Sequence, residues 1–148
     1  MENADINLLD CQDPLQQDCE VNEIVQLIES HFSITFAVNI ICISADEMSR
    51  LNGEYRNKPK PTNVLSFHYE ETDQQIVGEI YFCPDVIHEE ASDANISIAS
   101  HYKHLLVHAF LHLLGYDHTT PQTQDEMEAI EISLLATIGV TNPYEKLD

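Results

Sequence analysis

Apolar positions along the chain switch between a helical period and an alternating one, and the switches mark its elements. Val21, Ile24, Val25 and Ile28 recur at i, i+3, i+4 and i+7, the stripe of an amphipathic helix over residues 18–29. Residues 32–43, rich in Ile, Val, Phe and Thr with partial alternation, predict a strand. Ser44 and Glu47, three apart, form a capping-box pattern that opens a short helix towards Tyr55. Pro59 and Pro61 make 57–61 a loop. Residues 62–69 and 76–83 predict two strands joined across the polar turn 70–75, with Pro84 ending the second. A long helix is expected over 98–114, stopped by Gly115. Thr120 and Pro121 read as N-cap and first residue of a last helix. Its buried stripe is Met127, Ile130, Leu134 and Ile138, and Gly139 closes it. The order helix, strand, helix, strand, strand, helix, helix predicts an α+β fold. Helices pack on a small mixed or antiparallel sheet, with 1–148 as a single domain. Strand order stays open at this level.

Composition adds little to that picture, but charge changes it. The 148 residues are 43% hydrophobic, ordinary globular usage, with no repeat or low-complexity tract. Six basic residues face 26 acidic ones, a net charge of −20. Such a field repels a polyanion over most of the surface, which excludes a protein that coats nucleic acid through general positive charge. Any phosphate must meet a local reversal of sign. Cys11, Cys19, Cys42 and Cys83 show no CxxC spacing, and Cys42 and Cys83 lie in strand-like runs as small hydrophobes. The first residues lack a signal-peptide pattern, and no apolar run approaches the ~18 residues of a membrane span. The expectation is a soluble cytoplasmic protein in a reducing compartment, with no membrane partner.

Candidate chemistry concentrates in 108–118. At about 100° per residue, His108 and His112 stand roughly 40° apart on the helix, with Cβ atoms about 5–6 Å apart. Both imidazoles can turn to one ion. His118 sits roughly 240° round from His112 if the helix continues, so it joins them only if the chain bends back. Gly115 makes that bend cheap. Two histidines four apart also occur by chance on solvated helices; a third past a glycine separates this chain from that background. Three neutral imidazoles around Zn²⁺ leave its charge uncompensated and a fourth position open to water. That is the composition of hydrolytic centres. Zinc is the default, while nickel and copper also accept imidazole. His101 and His104 fall near the face of His108 and read as a polar helix face, His104 becoming a ligand only if His118 fails to reach. His31, His68 and His88 show no pattern. The spacing is also that of metzincin peptidases, which carry Glu directly after the first histidine. Ala109 stands there instead, so that mechanism lacks its base.

The reversal of sign lies in 50–60, where Arg50, Arg56, Lys58 and Lys60 fall within eleven positions. A guanidinium fork matches phosphate oxygens. Lys103, one turn before His108, adds to this group in that reading, whereas a solvated cationic loop is the plainer alternative for the whole group.

Leu51-Asn52-Gly53-Glu54-Tyr55-Arg56, Lys60-Pro61-Thr62-Asn63-Val64-Leu65-Ser66-Phe67, Val77-Gly78-Glu79-Ile80 and the histidine segment follow one another as in the YbeY family of bacterial endoribonucleases, which this chain resembles over about half its length. The chain departs from the family pattern at His68, Glu79 and Ala109, none of them a ligand. The resemblance implies one Zn²⁺ on His108, His112 and His118, and Arg56 as the functional arginine at the substrate phosphate. It also implies maturation of the 16S rRNA 3′ end and ribosome quality control, with small-subunit ribosomal proteins and an assembly GTPase as partners beside ribosomal RNA.

Three functions follow. The first is a zinc-dependent, single-strand-specific endoribonuclease with Arg56 and His108 catalytic. In it Arg56, Lys58, Lys60 and Ser66 contact substrate, and Asp117 orients a ligand rather than carrying protons. The second is a non-catalytic ribosome assembly factor with a structural metal, which the acidic surface suits. A closed four-ligand site would mark it. The third, a metallopeptidase-like hydrolase, needs a carboxylate near the metal to replace the missing Glu.

Overall fold

The computed structural model describes residues 5–12, 15 and 20–144. Nine elements occur in the order β1 (Asp5–Leu9), α1 (Val21–Phe32), β2 (Thr35–Cys42), α2 (Ala45–Arg56), β3 (Val64–Glu71), β4 (Gln75–Phe82), α3 (Pro84–Ala94), α4 (Ile98–Leu113) and α5 (Pro121–Thr137). The α+β architecture is the expected one. The sheet order is β1-β2-β4-β3; β1, β2 and β4 run parallel and β3 is antiparallel to β4, so the sheet is mixed.

Alternation along the strands divides two packing surfaces. Phe36, Val38 and Ile40 of β2 and Ile76, Ile80 and Phe82 of β4 join the main core. The same core takes Leu105, Leu106, Val107, Phe110 and Leu111 of α4, and Phe36 meets Phe110 edge to face at 4.8 Å. Helix α4 is therefore the buried helix of the molecule, packed by the sheet, α1, α3 and α5. Leu65 of β3 and Cys83 join Met48 of α2 in a smaller cluster.

One close approach sets the depth of α4 against the sheet. A Cβ placed on Gly78 of β4 would lie 2.5 Å from the Phe67 carbonyl oxygen and 3.1 Å from Leu113 Cδ2. Only glycine lets β3, β4 and the end of α4 meet there.

Two elements differ from expectation. Strand β1 is only five residues and half-exposed, too short for a periodic signal. Helix α3 buries only Ile87 and Ala91, one turn apart amid polar residues, so it shows no stripe in the sequence. Pro84, read as a strand terminator, is also the start of this helix. Helix α1 is described from Val21, and the expected start at 18 lies outside the described residues. Its left-handed C-cap at Ser33 (φ 55°) delays β2 to Thr35. Ser44 caps α2 by accepting from the Glu47 amide at 3.2 Å, but Glu47 returns to the Ser44 hydroxyl at 3.3 Å. The reciprocal box forms instead on α5, between Thr120 and Thr123. Cys42 and Cys83 are free thiols, and Cys42 Sγ donates to Cys11 Sγ at 2.8 Å. Cys19 lies outside the described residues. No helix among the described residues is long and apolar enough to cross a membrane.

Candidate metal centre and cleft

Helix α4 carries His108 and His112 on consecutive turns, and its ending brings His118 to them. Leu114 caps the helix and Gly115 adopts φ +100°. The Gly115 amide then donates to the His112 carbonyl at 3.0 Å and the Tyr116 amide to the Leu111 carbonyl at 3.1 Å. This pair of bonds is a Schellman ending, which reverses the chain. Asp117 tightens the following turn, accepting from the Thr119 amide at 3.3 Å and from its hydroxyl at 3.1 Å. Asp117 thus braces the turn that carries His118.

The three rings converge. Centroids of His108 and His112 are 4.6 Å apart, those of His112 and His118 5.1 Å, and those of His108 and His118 5.5 Å. One ring nitrogen from each lies within 4.8 Å of the others. The Nε2 atoms of His108 and His112 stand 3.0 Å apart, near the roughly 3.3 Å spanned by two nitrogens at about 2.0–2.1 Å from a tetrahedral zinc. Burial, then the neighbouring His108 and His118, pushes the His112 pKa down to about 4. His112 is therefore neutral at pH 7, the form that coordinates a cation. The donor set fits a transition metal of borderline softness. Among the described residues no fourth His, Cys, Asp or Glu joins this trio.

The trio lies in a cleft of about 560 Å³ whose lining includes Arg56, Asn63, Ser66, Asp117 and Thr119. Arg56 reaches it because α2 rests on the sheet at β3, with the Tyr55 ring 4.9 Å from that of Phe67. Ser66 lines the cleft with its hydroxyl donating to the Ala109 carbonyl at 3.2 Å, which ties β3 to α4. Lys58 and Lys60 are exposed on the loop after α2, outside the cleft lining. Buried Asn52 holds that loop, donating to the Lys60 carbonyl at 2.9 Å. Ala109 is fully buried in the core and presents nothing to the cleft.

The remaining histidines have other partners. His101 Nε2 donates to Glu90 at 2.9 Å, and His68 pairs with Glu71 at 3.0 Å. His104 Nε2 lies 2.9 Å from Glu131 Oε2. Glu131 is the residue that sequence reasoning missed. It is fully buried on α5, four positions after Met127. Burial raises a carboxyl pKa, but hydrogen bonds from His104, His108 and Tyr144 outweigh it and hold Glu131 at about 2. The available signal was a carboxylate adjoining the apolar stripe of an expected helix, beside Ile130.

Comparison with known proteins gives the family and the fold. Residues 8–139 match the family model described as endoribonuclease YbeY. A protein named endoribonuclease YbeY from Francisella tularensis subsp. novicida (strain U112) is 37% identical over 97% of this chain and 94% of its own length. The protein of that name from subsp. holarctica (strain LVS) is 37% identical over 97% of this chain and 91% of its own. A solution structure of a Thermotoga maritima protein superposes with a TM-score of 0.61, covering 95% of this chain and 99% of that one. At 24% identity, that likeness concerns the fold alone.

Proposed function

This chain belongs to the endoribonuclease YbeY family, and from that premise we propose that it is a zinc-dependent, single-strand-specific endoribonuclease that matures the 3′ end of 16S rRNA. The observation that carries the reading is the convergence of three imidazole nitrogens in a cleft that Arg56 also lines. His108, His112 and His118 hold the ion. When bound, zinc supplies Lewis acidity towards a phosphodiester and towards water. The protein's own groups do the rest. Arg56 takes the phosphate oxygens in its planar fork and stabilises charge that develops there. The strand segment at Ser66 forms the cleft floor against which single-stranded RNA lies, and Lys58 and Lys60 neutralise phosphates beyond the cleft. Asp117 keeps His118 in place through the turn it braces. The enzyme acts in the cytoplasm as one domain, in ribosome quality control, beside small-subunit ribosomal proteins and an assembly GTPase.

The structural-metal alternative calls for a fourth protein ligand, and among the described residues none joins the trio. The peptidase alternative calls for a carboxylate near the metal to replace the missing Glu; Glu131 beside His108 is fully buried and taken up by His104, His108 Nδ1 and Tyr144, and Asp117 accepts from Thr119. Both are the weaker readings.

The test combines elemental analysis of the purified chain with cleavage of ribosomal RNA with and without chelator. We expect one zinc per chain and chelator-sensitive cleavage. Unchanged cleavage by a metal-free His108→Ala variant would reject the proposal.

A further inference from the structure

Behind the three-histidine centre lies a buried carboxylate with no obvious business in an apolar stripe. Glu131 is fully buried, and an unpaired buried charge costs far more than a helix can absorb. Every part of it is engaged. Oε1 lies 2.9 Å from His108 Nδ1. Oε2 lies 2.9 Å from His104 Nε2 and 2.7 Å from the Tyr144 hydroxyl. His104 and Tyr144 also meet each other at 3.1 Å, with their rings edge to face. An ionised carboxylate only accepts. His108 Nδ1 therefore donates to it, and the form of His108 that ligates a cation then presents its lone pair at Nε2. That atom is the one facing His112 Nε2. In the other tautomer Nε2 carries a hydrogen and cannot ligate at all.

We propose that Glu131 is the positioning residue of the metal centre: from α5 it locks His108 in the ligating tautomer and ring orientation, while His104 and Tyr144 hold the carboxylate from its other side. The inference rests on the reading that His108, His112 and His118 hold the ion. It also gives His104 its role. His104 spends Nε2 on the brace, one turn below the first ligand, rather than on the metal. A single carboxylate thereby ties α4, α5 and the segment at Tyr144 to the geometry of one imidazole. Carboxylates placed behind metal-bound histidines commonly change metal affinity by about 10–100-fold.

The same three groups also invite a different assignment, because His104, His108 and Glu131 offer ligand atoms within 4.8 Å of one another. A second ion there would require His108 to ligate through both nitrogens at once, by losing its ring proton. The hydrogen-bonded arrangement needs no such loss.

The experiment measures zinc affinity and stoichiometry of the full chain by chelator competition at pH 7, together with the His108 tautomer from imidazole ¹⁵N shifts of metal-free protein. Wild type should bind one zinc and show His108 protonated at Nδ1. Glu131→Ala should lose affinity by about 10–100-fold and show a mixture of His108 tautomers. Glu131→Gln, whose amide oxygen still accepts from Nδ1, should keep the tautomer and recover part of the affinity. If Glu131→Ala does not fold, Tyr144→Phe replaces it as the milder variant, with a smaller loss of affinity expected. Wild-type affinity and tautomer in the folded variants would overturn the proposal, as would two ions in wild type and one in Glu131→Ala. A wild-type chain that binds no zinc overturns the three-histidine reading itself, and this proposal with it.

Discussion

Arg56, His112 and His118 differ in how much of the molecule each needs. Arg56 is exposed and ends a helix, so its replacement leaves the core untouched. Arg56→Ala is expected to fold as wild type by circular dichroism and to lose about 10²–10³ in the cleavage rate of ribosomal RNA, the usual cost of one group aimed at developing charge. Arg56→Lys should recover little, because an ammonium lacks the planar fork. His112 is sensitive to pH instead. In the unfolded chain a histidine titrates near 6.5, whereas in the metal-free native protein burial holds His112 at about 4. Between those values the unfolded state binds a proton that the native state does not. The stability contributed by neutral His112 is thus complete above pH 6.5 and is lost as pH falls towards 4. Urea midpoints of metal-free wild type should fall more between pH 7 and 4.5 than those of His112→Gln. The triad was legible from the sequence because two of its members obey helix geometry and a glycine announces the third. Glu131 was not, because a carboxylate beside an apolar stripe looks like an ordinary solvated position until the partners from α4 surround it.

At the scale of elements, the site depends on two glycines that act differently. Gly78→Ala forces a methyl against the Phe67 carbonyl, a backbone atom that cannot rotate away. The strands must part, and the expected loss of stability by chemical denaturation is about 1–3 kcal/mol, as for overpacked cores. Because Ser66 ties the same strand to α4, weaker zinc binding should accompany it. A Cβ on Gly115 would meet nothing within 4 Å, so its cost is conformational. At φ +100° an alanine is strained by about 1–2 kcal/mol, and relief of that strain swings His118 away. Gly115→Ala should therefore lower zinc affinity in the competition assay while leaving the helix content intact. Long elements with a clear stripe or alternation were readable along the chain. β1 and α3 were not: one gains its identity only by pairing with β2, the other buries just two side chains against a core built elsewhere.

For the whole molecule the question is how a chain of net charge −20 approaches RNA. Arg56 is the cation lining the cleft among the described residues. Each phosphate neutralised on a single strand contributes about −0.7 to the slope of log affinity against log salt. With Arg56 in the cleft and Lys58 and Lys60 beyond it, a slope near about −2, read from KM for an rRNA fragment across ionic strengths, is expected; a slope of about −4 or steeper would show that a broad basic surface takes part. The amino-acid order alone determined which segments could be helix or strand, that three imidazoles could share one face of a turn, and that cations gather in one short stretch. Those properties follow from local periodicity and residue chemistry, which need no partner in space. Only the tertiary structure decided the strand order, the arrival of Arg56 at the histidines from the end of α2, and the carboxylate of α5 behind His108. Each of these depends on contacts between segments far apart in the chain, where backbone close approach and burial, rather than local pattern, choose the neighbour.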